Sequence, residues 1–391
     1  MGKSPLAPSL LSRTEKESRR DKPVRQQAAP SLPLGALAVV SRARNIFACS
    51  TALRPRLLRR LLTATTHAAL LLRETLPEYQ PAMSDRYSFI PATREQMETI
   101  RKSLGTDEED IRRAITSVRD WLRMQPHLPD QMEDAFIERM YINCKCSIER
   151  VKKGVDNFFS MRTRYPEMSM NRDPIGPDVV TTMEHLKLVT MPRLTEDLYR
   201  VHIIADPDPD PAWVSWINYG KVGSIDLDLM LFNDYSLGDI VIFDLKNVHA
   251  GHAVRSDINV MRAMEFGYKS AYCRRLKGFH LVNANKITDF VLKILKTALS
   301  EKLQKRIHVH PPGTTTLFDH VAKEYLPDEL GGTAGPIDKY AYEFIRRAEK
   351  KRDWFLEQDR YISDESKRPP DNHFADDLFG VAGSFKKLSV D

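Results

Sequence analysis

The sequence predicts an α/β fold, with a small N-terminal helical bundle followed by a mainly parallel sheet with helical crossovers. Three observations carry this expectation. Residues 93–166 place apolar side chains at helical spacing between capping residues and proline stops. From residue 199 onward, short runs of strand-forming residues alternate with amphipathic stretches, the pattern of parallel strands joined by helices. Residues 274–310 then read as a basic cluster, a strand, a strongly amphipathic helix, and a second basic cluster entering a strand.

The front elements follow from local chemistry. Thr93, with Gln96 three residues later, makes a capping box for a first helix. Residues 107–125 put Ile111, Ala114, Ile115, Val118 and Leu122 on one face, with acids in the first turn and Pro126 and Pro129 as stops. A third helix is expected near 130–143. Ser147 caps a fourth, which carries Val151, Val155, Phe158 and Phe159 and stops at Pro166.

The body is expected to begin with a connection and a helix within 167–198, then a strand over 199–204. The DPDPDP stretch at 206–211 is read as a loop, because it lacks the glycine and closing glutamate of an EF-hand. NYGKVGS at 218–224 holds glycines without phosphate-loop spacing. A helix over 225–235 leads into a buried strand in 238–247. A long helix over 254–272 follows, with Ile258, Met261, Met264 and Tyr268 on one side. A strand at 279–284, the amphipathic helix, a strand at 306–310, a short helix at 316–324 and a basic helix over 337–358 complete the body.

In the amphipathic helix, Ile287, Phe290, Val291, Ile294, Leu295 and Ala298 share a face, while Lys286, Lys293 and Lys296 lie between them. Such a stretch can be an ordinary surface helix packed on a sheet. It can equally cover a cavity and present its flanking cations to an anionic surface.

Charge is unevenly spread. Of 59 basic and 53 acidic residues, 14 and 5 fall in residues 1–82, leaving 45 and 48 in the remainder. The body is close to neutral, which argues against nucleic acid as a partner. Residues 1–82 read as a disordered basic extension. Residues 53–73 share the Arg-rich, acid-poor composition of an organellar transit peptide, so import is a possibility, but a start at Met83 and a cytoplasmic protein are favoured. Four cysteines without paired spacing indicate neither a disulfide framework nor a zinc site, and no cofactor is expected. His308 and His310 alternate along a strand, and with no third ligand evident they are read as buried rather than metal-binding.

Five segments in order resemble one family: FFSMRTRYPEM, IVIFDLKN, KGFHLVNA, EKLQKRIHVH and LPDELGG. They are similar to CRAL-TRIO lipid-binding and transfer proteins over roughly residues 95–335, and most similar to the alpha-tocopherol transfer protein and retinaldehyde-binding protein branch. Pro311, Leu330 and Asn247 depart from the family's usual glycine, tyrosine and glycine. The resemblance implies a helical CRAL-TRIO-type front domain (93–166), a lipid-binding domain (175–335), and a C-terminal helix and tail (336–391).

It also implies an apolar pocket closed by the amphipathic helix as a lid. Matching positions put Phe243, Met264, Tyr268, Tyr272, Leu276 and Phe279 on the wall and Ile287, Phe290, Val291 and Ile294 on the lid. Arg275, Lys277, Lys302 and Arg306 match the positions that receive phosphatidylinositol bisphosphate, where convergent cations meet a phosphorylated headgroup. The implied protein is a monomeric carrier of a small hydrophobic ligand (a tocopherol, a retinoid or a similar lipid) that touches membranes transiently. The alternative is an interaction scaffold that kept the fold without transferring a lipid. No nucleophile elbow, phosphate loop or dinucleotide fingerprint occurs, so catalysis is not expected.

Overall fold

A computed structural model describes residues 85–205 and 208–370. The expected extension 1–82, with its transit-like segment and Cys49, lies outside the described residues, as do Asp206 of the loop and the tail beyond residue 370.

The front is a layer of four helices: α1 (Arg94–Leu104), α2 (Glu108–Arg123), α3 (Asp134–Asn143) and α4 (Ile148–Arg164). The capping box at Thr93 forms in both directions, with the Gln96 N–H donating to Thr93 Oγ1 at 3.2 Å and the Thr93 N–H donating to Gln96 Oε1 at 2.9 Å. Gly105 ends α1 in the left-handed region at φ 68°, where a side chain would be strained. The apolar faces of these helices merge with Leu231, Tyr235, Ala263 and Tyr272 of the body into one core. Buried Asp156 of α4 binds Arg368, whose Nη1 and Nη2 donate to its two oxygens at 2.8 Å each.

Two short helices, α5 (Pro166–Ser169) and α6 (Pro177–His185), lead to a five-stranded sheet ordered β1 (Lys187–Thr190), β2 (Tyr199–Ala205), β3 (Gly238–Asp244), β4 (Leu276–Val282) and β5 (Ile307–Val309). β1 is antiparallel to β2, and the other pairs are parallel. The crossovers are α7 (Trp216–Asn233), then α8 (Ala250–Val254) with α9 (Ile258–Phe266), then α10 (Thr288–Ala298) with α11 (Glu301–Gln304). Strand order advances in one direction, so right-handed crossovers place all three on the same face. The opposite face is covered by Leu317, Val321, Leu326 and the helix α12 (Ile337–Glu349), and a last helix, α13 (Arg352–Glu357), follows.

The elements differ from expectation in several places, among them the helix expected over 337–358, which is split into α12 and α13. β1 was hidden in a stretch read as helix, since its four residues follow α6 directly. α7 begins at Trp216, capped by Ser215, and runs through Gly220 and Gly223 rather than starting at 225. At Gly220 a Cβ would lie 2.6 Å from Met168 Sδ, so a larger residue there would have to displace the buried Met168 side chain. The helix expected over 254–272 is broken: Asp257 caps a new start at Ile258, and the end unwinds into a π turn over Gly267–Ala271. The helix expected at 316–324 is a pair of 3₁₀ turns, Thr316–Asp319 and Lys323–Tyr325.

Candidate ligand cavity and its lid

Between the crossover face of the sheet and helices α7, α9 and α10 lies a cavity of about 300 Å³. Its floor is Val241 and Phe243 of β3 with Leu276 and Phe279 of β4. Val241 and Phe243 share a face because strand residues alternate sides. An irregularity in β4, where Leu276 pairs with Asp239 but Gly278 with Ile240, brings Leu276 and Phe279 to that face although they are three residues apart. One wall is Trp216, Tyr219 and Gly223 of α7, and another is Met261, Met264 and Tyr268. The roof is Val291, Ile294 and Leu295 of α10, continued by Leu299 and Leu303. Of the polar tips in this lining, Trp216 Nε1 is buried without a hydrogen-bond partner, whereas Tyr268 is bonded. The Tyr268 hydroxyl donates to Asp239 Oδ2 at 2.6 Å, and burial, then the nearby Asp239 carboxylate, hold that phenol well above its ordinary range. The lining therefore offers mainly dispersion contacts and a dry surface, which suits an apolar guest.

Of the expected pocket residues, Phe243, Met264, Tyr268, Leu276, Phe279, Val291 and Ile294 line the cavity. Tyr272 does not. Tyr272 stands at the end of the π turn, its N–H donating to Gly267 O at 2.9 Å. Its ring packs edge-on to Phe158 at 5.3 Å, and its hydroxyl donates to Asp228 Oδ1 at 2.9 Å in the packed core. Ile287 and Phe290 also lie off the lining. Ile287 sits just before α10 and packs beside the lid cluster. Phe290 is 45% exposed, whereas Val291, Leu295 and Ala298 are 8%, 6% and 4% exposed. Those three define the inward direction, and Phe290 points about 100° of helical rotation from it.

The roof helix is tethered at both ends. Asn285 Nδ2 donates to Leu245 O at 2.8 Å and Val248 O at 3.1 Å, fixing the entry to α10. At the far end Arg262 donates to Thr297 O at 3.2 Å, and the Ser300 N–H donates to Glu265 Oε1 at 3.3 Å.

The four expected phosphate-binding cations take different positions. Lys302 and Lys305 are exposed beside α11, and Arg306, half-buried, leads into β5. Lys277 is exposed, and its ammonium lies 4.6 Å over the Tyr199 ring. Arg275 is half-buried near Cys144 and Cys146, and burial, then the neighbouring Arg274, lower its pKa. Its Nε and Nη2 are buried without hydrogen-bond partners. Arg274, inside the same basic run, is fully committed to Asp234 and Asp239.

That ion network forms one end of the chamber's support. Arg200 bridges Asp234 at 2.8 Å, and His202 lies between Asp226 at 3.3 Å and Asp239 at 3.5 Å. Burial opposes the His202 charge, but the two carboxylates prevail and raise its pKa to about 9. Among the described residues no three His, Cys, Asp or Glu side chains are grouped to hold a metal, and no helix is long and apolar enough to cross a membrane.

Sequence reasoning missed the α7 wall and Leu295. Leu295 was visible on the amphipathic face, whereas Trp216 and Tyr219 were obscured because the glycines after them suggested a loop.

The fold and cavity define an α/β protein with a helix-roofed apolar chamber. Residues 230–332 match the CRAL/TRIO domain family, and residues 107–179 match the Pinta-like, UBA domain family. Human "Alpha-tocopherol transfer protein-like" is 25% identical over 255 residues, covering 61% of this chain and 70% of the relative. Clavesin-1 of Xenopus laevis is 23% identical over 252 residues, covering 62% and 74%. A crystal structure of Sfh5 superposes with a TM-score of 0.40 and 11% identity, over 60% of this chain and 91% of that one. Residues 230–332 thus mark a CRAL/TRIO domain within this chain.

Proposed function

We propose that this protein is a non-enzymatic carrier that takes one small hydrophobic molecule into the chamber and exchanges it at phosphoinositide-bearing membranes. The observation that carries the reading is the chamber itself: an apolar space roofed by one amphipathic helix with polar tethers at each end. Closed, the apolar side of α10 faces the guest. Open, the same side can lie on a bilayer, so neither state leaves it in water. Homology to an alpha-tocopherol transfer protein-like relative supports a lipid as cargo. Phe243, Met264, Tyr268, Leu276, Phe279, Val291 and Ile294 are assigned to the guest, and Lys302 and Arg306, with Lys277 and Arg275 behind them, to a phosphatidylinositol bisphosphate headgroup.

In this reading residues 93–166 are a supporting helical domain and residues 175–335 are the lipid-binding domain. The protein works as a cytoplasmic monomer that visits endomembranes. The competing reading, a scaffold that lost its pocket, is disfavoured by an open chamber of about 300 Å³. Native mass spectrometry of the protein purified from its own cells, followed by lipid extraction, tests the two. A bound lipid at unit stoichiometry is expected, and an empty chain that also fails to take up added hydrophobic probes would overturn the carrier reading.

A further inference from the structure

On the sheet face opposite the chamber, four imidazoles converge at the β4–β5 seam. His280 of β4 and His308 of β5 are register partners with rings stacked at 4.9 Å. His310, just after β5, stacks on His280 at 5.2 Å and shares a hydrogen bond between His280 Nδ1 and His310 Nε2 at 3.0 Å. His320 closes the group, 4.5 Å from His308 and 4.9 Å from His280. The other ring nitrogen of His310 meets Thr316 Oγ1 at 2.8 Å.

We propose that these four histidines form an acid-sensitive latch that holds β5 to β4, and through it the far end of the lid. β5 is only three residues long, lies at the sheet edge, and pairs with β4 alone. It is also the anchor to which the α10–α11 crossover returns. With neutral rings the stack adds side-chain contact to a short backbone ladder. When two rings are charged at these separations, like charges repel across the seam, and the edge strand is the piece free to move.

The groups acting on these rings are few. His280 feels His308, His310 and His320; His308 feels His320; His310 feels His320, His308 and the carboxylate of Asp319. Burial first, and then the neighbouring rings, push His280 down to about 3 and lower His308 and His310. A histidine held below its ordinary 6.5 stabilises the fold fully above that value, and the contribution is lost as pH falls from 6.5 towards the folded-state value. The latch thus tightens at neutral pH and weakens in the acidic range. Its consequence for cargo, faster release beside an acidified membrane, rests on the carrier reading.

Hydrogen–deuterium exchange of the full chain at about pH 7.4 and about pH 5.5, with labelling times scaled for intrinsic exchange, tests the latch. Residues 279–282 and 288–309 should exchange about tenfold faster at the lower pH, with residues 199–205 and 238–244 unchanged. The H308Q/H320Q variant, which replaces the partly exposed rings, should lose most of that acceleration. H320Q alone should lose part of it, and gives the readout if the double variant misfolds. No acid response in the native chain overturns the proposal, as does a response that survives in H308Q/H320Q and H320Q. So does a response abolished by H252Q, since the rim residue His252 is the other histidine lowered by burial and a neighbouring imidazole. Nile red uptake at about pH 7.4 reads the carrier function separately. Failed uptake with an intact acid response rejects the carrier and leaves the latch, whereas uptake without an acid response rejects the latch.

Discussion

Ser300 donates its backbone N–H to a carboxylate oxygen of Glu265 at 3.3 Å, which fastens the start of α11 to α9. The neighbouring bond from Arg262 to Thr297 O ties the end of α10 to the same helix. Each bond contributes about 0.5–1.5 kcal/mol, so removing one should shift lid opening by roughly two- to tenfold. Glu265→Ala and Arg262→Ala are expected to speed both loading and release of a fluorescent hydrophobic probe in stopped-flow measurements. Thermal stability should change little, and Glu265→Gln, which keeps an acceptor oxygen, should behave closer to the native chain.

Gly223 faces the chamber with open space where its Cβ would stand. Gly223→Leu should occupy the chamber with protein atoms and improve helix propensity, by up to about 1 kcal/mol. The expected result is a Tm unchanged or raised, together with loss of most probe uptake and of any copurifying lipid in native mass spectra. A variant that binds as before would place the guest elsewhere.

The buried network under the chamber sets the pH range of stability. Asp226, Asp234 and Asp239 are all held below the ordinary 3.8: burial opposes ionisation, but the His202 and arginine partners outweigh it. Their contribution is complete above 3.8 and disappears as pH falls. His202 acts in the other direction: its stabilisation is complete below 6.5 and is lost as pH rises through about 9. Denaturant titrations should therefore show a loss on the alkaline side that His202→Gln removes. Asp234→Asn, which takes the carboxylate partner from buried Arg200 and one of two from Arg274, should cost about 3–5 kcal/mol.

Reversing Lys302 and Arg306 to glutamate should weaken binding to vesicles containing phosphatidylinositol bisphosphate by at least about tenfold, with the native affinity falling steeply as salt rises. Lys277→Glu should have a smaller effect, because its ammonium already rests on Tyr199. Sedimentation with vesicles lacking the phosphorylated headgroup provides the comparison. Equal loss on both kinds of vesicle would reduce the site to general charge attraction.

Much of this was readable from residue patterns. Periodicity located the lid and its buried Val291, Leu295 and Ala298, and apolar runs located β3 and β4. What escaped depended on tertiary context. Tyr272 follows Tyr268 by four residues and by periodicity belongs with it, but it closes a π turn and is held in the core by Phe158 and Asp228. Phe290 looked like part of the apolar stripe, yet an edge position on a helix is buried or exposed according to its neighbour's width, which no spacing encodes. The glycines of α7 marked a close approach to Met168 and an opening onto the chamber, and both resemble loop signals in sequence. The histidine cluster draws its members from three segments, which β4–β5 register and the 3₁₀ turn before His320 bring together.

The bond between Asp156 and Arg368 spans 212 residues of chain. A carboxylate sealed inside the front bundle has that late arginine among its charge partners, so the bundle is electrostatically incomplete while the ribosome is still making the sheet. The helices that emerge first are thus finished last. A chain that stalls before residue 368 would leave Asp156 bonded to His127 and Ser160 but without its arginine, and the bundle more open to capture by chaperones or proteases.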